Sequence, residues 1–138
     1  MTKRKILILA ALACFAATAC AANVKNYLRG GIYRNLNESL TIVGLQGDPS
    51  AYLGKDIVFS VKFHKKGSLP CPLGDDYVNL VLADRVSMIT TDKAWMKKEK
   101  ADALDSLGEN ETVVVKARVF KVDREKDPNL EVLEIAPE

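Results

Sequence analysis

Residues that bind metals or act as nucleophiles are scarce in this chain. Its 138 residues include one histidine and three cysteines. A zinc site needs several histidine, cysteine or carboxylate ligands at convergent spacing, and a disulfide framework needs a set of paired cysteines. The sequence also lacks a glycine-rich phosphate loop, a serine nucleophile elbow and a His-Glu-x-x-His motif. We therefore predict a protein that is not an enzyme, with no metal and no cofactor.

Long apolar runs are equally scarce, because only residues 6–17 form one. A membrane span needs about 20 such residues, so this run is too short to be one. It follows the basic residues 3–5 and precedes small residues that end at Cys20. A basic head, a short apolar stretch and small residues are typical of a secretory signal that is removed. We predict that residues 1–19 are a signal peptide and that the mature protein is exported.

The four residues before and including Cys20, Ala-Thr-Ala-Cys, resemble the lipobox of bacterial lipoproteins. The resemblance implies that Cys20 receives a lipid, becomes the first residue of the mature protein and anchors it to a membrane. Ordinary cleavage after Ala19, Ala21 or Ala22 is the alternative. The predicted location is the periplasm. If Cys20 is lipidated, Ala21 rather than Asp after the cysteine is consistent with an outer-membrane lipoprotein in a Gram-negative cell.

Removal of the signal peptide also removes the excess of positive charge. The mature chain keeps seventeen basic and eighteen acidic residues, a net charge of −1. Proteins that bind nucleic acid carry a basic surface for the phosphate backbone. Nucleic acid is therefore an unlikely partner, and ligands must be argued from local patches.

Alternation of apolar and polar residues predicts a domain made mainly of strands. We expect residues 20–47 to be a tether with a short strand at 38–45, and residues 48–138 to form the domain. Residues 48–54 predict one helical turn with Asp48 as its cap and Pro49 in its first position. The strands of the domain are expected at residues 57–64, 77–83, 86–90, 112–122, with a bulge near Phe120, and 130–135. Residues 93–107, rich in Ala, Lys, Glu and Leu, predict its one helix.

The resulting order, β-β-β-α-β-β, resembles the OB-fold, a five-stranded β-barrel. It is also similar to the small periplasmic bacterial OB-fold family, which combines a signal peptide with one such domain and often has a tryptophan after the third strand, as Trp95 is here. The resemblance implies an OB-like β-barrel over residues 48–138, with a ligand platform on the exposed face of strands two and three. Tyr77 and Asn79 would lie on that platform.

Four cationic side chains project from the polar faces of the first and fourth predicted strands: Lys62, His64, Lys116 and Arg118. They could offer positive charge to an anionic glycan or a lipid headgroup, although solvated strand faces would have the same pattern. With Tyr77 and Asn79 they form the predicted ligand-binding set. The predicted function is a non-enzymatic binding module of the cell envelope, for an anionic ligand or an envelope protein. The alternative is a structural accessory subunit of an envelope complex.

Two sequence patterns resemble functional sites, but in each a feature argues against that function. The acids Asp123, Glu125, Asp127, Glu131 and Glu134 fall on positions 1, 3, 5, 9 and 12 of an EF-hand loop. Pro128 stands where that loop needs glycine, so we predict a solvated hairpin turn instead. Cys71 could act as a nucleophile with His64 as its base, but no third group to orient the histidine can be named. An inert, unpaired thiol is the simpler prediction.

Overall fold

The computed structural model describes residues 30–138, in a chain that divides into two units, Met1–Arg34 and Asn35–Glu138. The first unit is described only from Gly30, where the short helix α1 spans Gly30–Tyr33. The predicted signal peptide and Cys20 lie outside the described residues. From residue 30 onward, no helix combines the length and the hydropathy that a crossing of the bilayer requires.

The second unit consists mainly of β-strands. Helix α2 spans Ile42–Gly47, and a 3₁₀ helix spans Pro49–Tyr52 directly after it. A second 3₁₀ helix, Lys98–Leu104, lies between the third and fourth strands. The strands are β1 (Asp56–Lys66), β2 (Tyr77–Ala83), β3 (Thr90–Lys97), β4 (Glu111–Val122) and β5 (Pro128–Pro137).

The five strands form one closed sheet in the order β1-β2-β3-β5-β4. Strand β1 pairs antiparallel with both β2 and β4, and β3 closes the sheet through a short parallel pairing with β5. This order, with a helical segment between β3 and β4, is consistent with an OB-like fold. The prediction of a mainly β domain with five strands and one intervening helix is confirmed at this level.

The core lies inside the closed sheet and is built from alternate residues of the strands. It includes Ile57, Phe59, Val61 and Phe63 of β1 and Val113, Val115, Ala117 and Val119 of β4, all buried. These are the residues that the apolar alternation predicts. The predicted bulge in β4 is also confirmed, because the register with β5 shifts between Val119 and Lys121.

The strand predicted at residues 38–45 is wrong, because helix α2 occupies part of that segment. The hydroxyl of Thr41 accepts a hydrogen bond from the backbone N–H of Gly44 at 3.0 Å and caps the helix. Leu40, Ile42 and Leu45 belong to the hydrophobic core, so the core begins before residue 48, where the sequence placed the domain boundary. The predicted helical turn is confirmed as the 3₁₀ helix that follows α2, with Pro49 in its first position. The predicted cap is wrong, because the Asp48 side chain makes no capping hydrogen bond.

The strand predicted at residues 86–90 is also wrong, and the helix predicted at 93–107 is wrong in its start, length and type. Residues 93–97 belong to β3, where Leu80 pairs with Ala94 and Tyr77 with Lys97. Pairing with β2 overrides the helix propensity of these residues. The helical segment is reduced to the second 3₁₀ helix, and residues 86–89 form the β2–β3 turn.

Candidate functional site

The loop between β1 and β2, residues 67–76, folds over the outer face of β2 and β3. This is the face that the OB-like resemblance implies as the ligand platform. The indole N–H of Trp95 donates a hydrogen bond to the carbonyl oxygen of Leu69 at 2.9 Å. Trp95 is buried, and its ring centroid lies 6.0 Å from that of Phe120. Trp95 therefore fixes the loop from a strand, not from a helix as predicted.

Asn79 also holds this loop in place. Its side-chain oxygen accepts from the N–H of Leu69 at 3.1 Å, and its NH₂ group donates to the carbonyl oxygens of Asp92 and Ala94 at 2.7 and 3.0 Å. Asn79 is 5 % exposed. A Cβ atom on Gly67 would lie 2.0 Å from the same oxygen, so a glycine is needed there. The predicted ligand residue Asn79 is thus a buried support of the loop.

Two grooves of similar volume border the loop, besides a smaller pocket of about 270 Å³ against residues 67–71. The first, which we call the His64 groove, has a volume of about 620 Å³ and borders residues 67–70; its other lining residues are His64, Lys65, Asn79, Val81, Thr90 and Asp92. The second, the Tyr77 groove, has a volume of about 610 Å³ and is lined by Leu73, Asp76, Tyr77, Lys97, Lys98 and Glu99. Each groove mixes cations with carboxylates. The loop therefore turns the outer face of β2 and β3 into two polar depressions.

Tyr77 is half-buried in the second groove. Its hydroxyl lies 3.5 Å from a carboxylate oxygen of Glu131 on β5. Burial, and then the negative charge of Glu131, raise the pKa of the Tyr77 phenol above its ordinary value. Tyr77 therefore offers the groove a neutral aromatic ring whose hydroxyl keeps its proton.

His64 lies at the rim of the first groove, near the segment that precedes β4. Its Nδ1 atom is 3.2 Å from the side-chain oxygen of Asn110 and 3.9 Å from a carboxylate oxygen of Glu109. The imidazole is 32 % exposed. A ligand in the groove could therefore reach the ring, while Asn110 fixes its orientation.

The other three predicted cations do not line these grooves. Arg118 forms a two-pronged ion pair with Asp56 on β1, with N–O distances of 2.8 and 3.3 Å. Asp56 raises the pKa of the guanidinium. Lys116 lies opposite Glu134 in the backbone register of β4 with β5, and Lys62 is half-buried on β1. The structure therefore separates the predicted ligand set into a groove group, with His64, Tyr77 and the buried Asn79, and a β1–β4 group.

Cys71 is a free, half-buried thiol in the β1–β2 loop. Burial is the main cause that raises its pKa above the usual value, and the negative charge of Glu131 adds to this. A raised pKa keeps the sulfur protonated at neutral pH and lowers its reactivity. The hydrogen-bond and ion-pair partners that the structure gives His64 are Asn110 and Glu109, so this geometry offers no support for a Cys71–His64 nucleophile.

The acidic residues of the β4–β5 turn surround a lysine. Carboxylate oxygens of Asp123, Glu125 and Asp127 lie within 4.8 Å of one another. The Lys93 ammonium donates to all three, at 2.6, 2.9 and 2.9 Å. It lowers the pKa of Asp123 to about 2, and these carboxylates in turn raise the pKa of Lys93. The turn predicted as solvated is thus an ion cluster tied to β3.

This cluster is a feature that sequence reasoning missed. Glu131 and Glu134, the other two acids of the EF-hand-like pattern, lie on β5 and are not part of it. The signal was the alternation Lys93, Trp95, Lys97 against Ala94 and Met96, which has the period of a strand. Assigned to a helix, Lys93 could not be placed beside the turn.

Comparison with known proteins gives no family. No protein-family model matches the chain, and no curated protein matches it. Among solved structures it is similar to a protein assigned as an aspartyl-tRNA synthetase from Leishmania major Friedlin, with 16 % identity and a TM-score of 0.49. The match covers 80 % of this chain and 25 % of that one. A likeness this weak adds nothing about function to the strand order described above.

Proposed function

We propose that this chain is an exported, lipid-anchored OB-like barrel of the cell envelope that binds an acidic glycan in the His64 and Tyr77 grooves. It would be a small periplasmic OB-fold protein, anchored through Cys20 and without catalytic activity. The observation that carries the proposal is the pair of grooves along the loop of residues 67–76, on the face that OB-folds use for oligosaccharides and oligonucleotides.

The lining of the grooves favours a sugar over a polyanion. Lys65 is accompanied by Asp92 in the His64 groove, and Lys97 and Lys98 by Asp76 and Glu99 in the Tyr77 groove. Equal numbers of lysines and carboxylates leave no net positive charge to attract a dense row of phosphates. Sugar hydroxyls can donate to the carboxylates, whereas one acidic group on the sugar can accept from a lysine. The half-buried ring of Tyr77 adds a flat apolar surface on which a sugar ring can stack.

The binding proposal is tested by NMR titration of the ¹⁵N-labelled mature protein with uronic-acid and muramic-acid oligosaccharides. We expect shift changes at residues of the two grooves, and a Kd raised at least about fivefold by Lys65→Ala or Lys97→Ala. Lys121→Ala, an exposed change on β4, is the matched control and should leave the Kd unchanged. Shift changes confined to the β1–β4 face around Lys116, or no binding at millimolar ligand, would contradict the proposal.

The anchor is tested separately by the intact mass of the protein purified from cell membranes. A species that begins at Cys20 with added acyl mass supports the anchor. A soluble species without acyl mass, beginning at or after Cys20, removes the anchor from the proposal but leaves the grooves in place.

The alternative function, a structural accessory subunit of an envelope complex, is favoured by one observation. Val86 and Met88 in the β2–β3 turn are 78 % and 95 % exposed. Exposed apolar groups of this kind mark contacts with proteins or membranes. Site-specific crosslinking from residue 88 in cells, with one protein captured in stoichiometric amount, would favour the accessory role over glycan binding.

A further inference from the structure

The β2–β3 turn displays apolar side chains to solvent. Val86, Met88 and Ile89 are 78 %, 95 % and 44 % exposed. The residues from 86 to 91 carry no charge. Val43 of helix α2, which is 43 % exposed, donates its N–H to the Asp84 side chain at 3.2 Å and so lies beside the turn.

Hydrogen bonds hold this turn in one conformation. The buried carboxylate of Asp84 accepts from the N–H of Val86 at 3.1 Å as well as from that of Val43. The N–H of Asp84 donates to the carbonyl oxygen of Ile89 at 2.8 Å. These hydrogen bonds fix the backbone of the turn and so keep its apolar side chains exposed to solvent.

The chain enters the second unit beside this same turn. The Arg85 guanidinium donates to the carbonyl oxygen of Glu38, and the N–H of Asn37 donates to the carbonyl oxygen of Val58 on β1 at 2.8 Å. Fourteen residues lie between Cys20 and Asn35, the first residue of this unit, so this segment spans at most about 50 Å even when fully extended. A lipid on Cys20 would thus keep the unit within that distance of the bilayer, and the turn lies at the end where the chain enters the unit.

We propose that the β2–β3 turn inserts Val86, Met88 and Ile89 into the interfacial region of the lipid bilayer that carries the anchor. This inference rests on the proposed anchor at Cys20 and adds a second membrane contact. An uncharged apolar turn suits the boundary between headgroups and acyl chains, where charged side chains are unfavourable. The insertion would orient the unit relative to the bilayer.

Oxidation of Met88 can report whether the turn is inserted in the bilayer, with Met96 as an internal reference. Met88 is 95 % exposed, whereas Met96 is 1 % exposed. Peroxymonosulfate, a charged oxidant that stays in water, converts an accessible thioether to its sulfoxide. We would measure both oxidation rates by mass spectrometry for the acylated protein in vesicles of phosphatidylethanolamine and phosphatidylglycerol that contain no other protein. The same mature chain exported without a lipid, free in solution, gives the reference rates.

We expect Met88 to oxidise at least about fivefold more slowly in vesicles than in solution, and Met96 to oxidise slowly in both. The double variant Val86→Ser/Ile89→Ser should restore rapid oxidation of Met88 in vesicles, because it removes the neighbours that insert. Leu53→Ser changes an exposed apolar residue away from the turn and should leave Met88 protected. Thermal denaturation of both variants checks that they fold.

Three other results would each overturn the insertion. Equal Met88 rates in vesicles and solution, with acyl mass on Cys20, leave the anchor standing and refute the insertion. Protection in cell membranes but not in pure vesicles indicates a protein partner, and protection already in solution indicates cover by another segment or copy of the chain.

If cells yield no acylated protein, the anchor fails. The unlipidated chain is then added to the vesicles, where slowed oxidation of Met88 supports insertion and an unchanged rate refutes it.

Discussion

Replacement of Lys93 by methionine should reveal how much the ion cluster at the β4–β5 turn stabilises the fold. Methionine keeps the apolar stem and removes the ammonium, with its charge and its three hydrogen bonds. The contact with Asp123 dominates, because the N–O distance is 2.6 Å and both side chains are 20 % exposed. Glu125 is 78 % exposed, so its ion pair contributes little.

The expected loss is about 2–3 kcal/mol of unfolding free energy at pH 7. A hydrogen bond between charged groups contributes about 1.5–3 kcal/mol, and the carboxylates that remain repel one another. The loss stays below that for a fully buried pair, because Asp123 still accepts from the N–H groups of Glu125 and Asp127. For a unit of about 100 residues this corresponds to a fall in Tm of roughly 10–20 °C.

The pH dependence gives a second check on the same variant. The pKa of Asp123 is lowered to about 2 in the folded protein, below its ordinary value near 4. Stabilisation by this carboxylate is therefore complete above about pH 4 and is lost as the pH falls toward 2. The difference in unfolding free energy between the wild-type protein and Lys93→Met should shrink over that interval.

Urea denaturation followed by circular dichroism at pH 7, 5 and 3 measures this difference. Lys97→Met, an exposed change on the same strand, is the control and should stay within about 0.5 kcal/mol of the wild-type protein. A loss below about 0.5 kcal/mol for Lys93→Met at pH 7, or an equal loss at pH 7 and pH 3, would refute the assigned role of the cluster.

Three further experiments test the ion cluster, the β1–β2 loop and the thiol of Cys71. Lys93→Met should gain thermal stability from millimolar Ca²⁺, because three carboxylates then lack their cation; an equal gain in the wild-type protein would contradict this. Gly67→Ala should lower the free energy of unfolding by about 2–3 kcal/mol, measured by urea denaturation, because its Cβ would collide with Asn79. It should also expose the loop of residues 67–76 to proteolysis. Gly108→Ala is the control and should be close to neutral, because its Cβ would have no atom within 4 Å. Alkylation of Cys71 by iodoacetamide should be slower than that of a cysteine peptide at pH 7.5, with a midpoint above pH 9; a faster rate would mean an activated thiol.

The core strands β1 and β4 could be predicted because each alternates regularly between apolar and polar residues. Strands β1 and β4 pair over eight consecutive residues, and their apolar alternation is visible in the sequence. Strand β3 was missed because its composition, rich in Lys, Ala and Met, favours a helix when considered alone. Its pairing with β2 decides otherwise, and this information lies more than ten residues away along the chain.

The candidate site was predictable only in part, for the same reason. Tyr77 and His64 do line grooves, because strand alternation correctly placed them on the outer face. The burial of Asn79 could not be foreseen, because it depends on the loop that Trp95 holds from β3. A polar residue on a strand face says nothing about whether a distant loop will cover it.

The acidic residues after β4 converge for a physical reason that the EF-hand comparison could not reveal. Pro128 was a sound reason to reject an EF-hand, because that loop needs a glycine in its place. The acids nevertheless converge, and the charge that makes this favourable comes from Lys93 on a neighbouring strand. The three carboxylates then act as one structural unit with the lysine, which fixes the β4–β5 turn.

Buried or half-buried side chains thus fix three connections of the closed sheet: Asn79 and Trp95 hold the β1–β2 loop, Asp84 the β2–β3 turn, and Lys93 the β4–β5 turn. Loops fixed in advance lose little conformational freedom when a ligand binds, so a shallow groove between them can still bind with useful affinity. The same rigidity explains why apolar groups in the β2–β3 turn remain exposed instead of folding back. Both proposals, a glycan in the grooves and a bilayer at the turn, depend on this property of the connections more than on any single exposed residue.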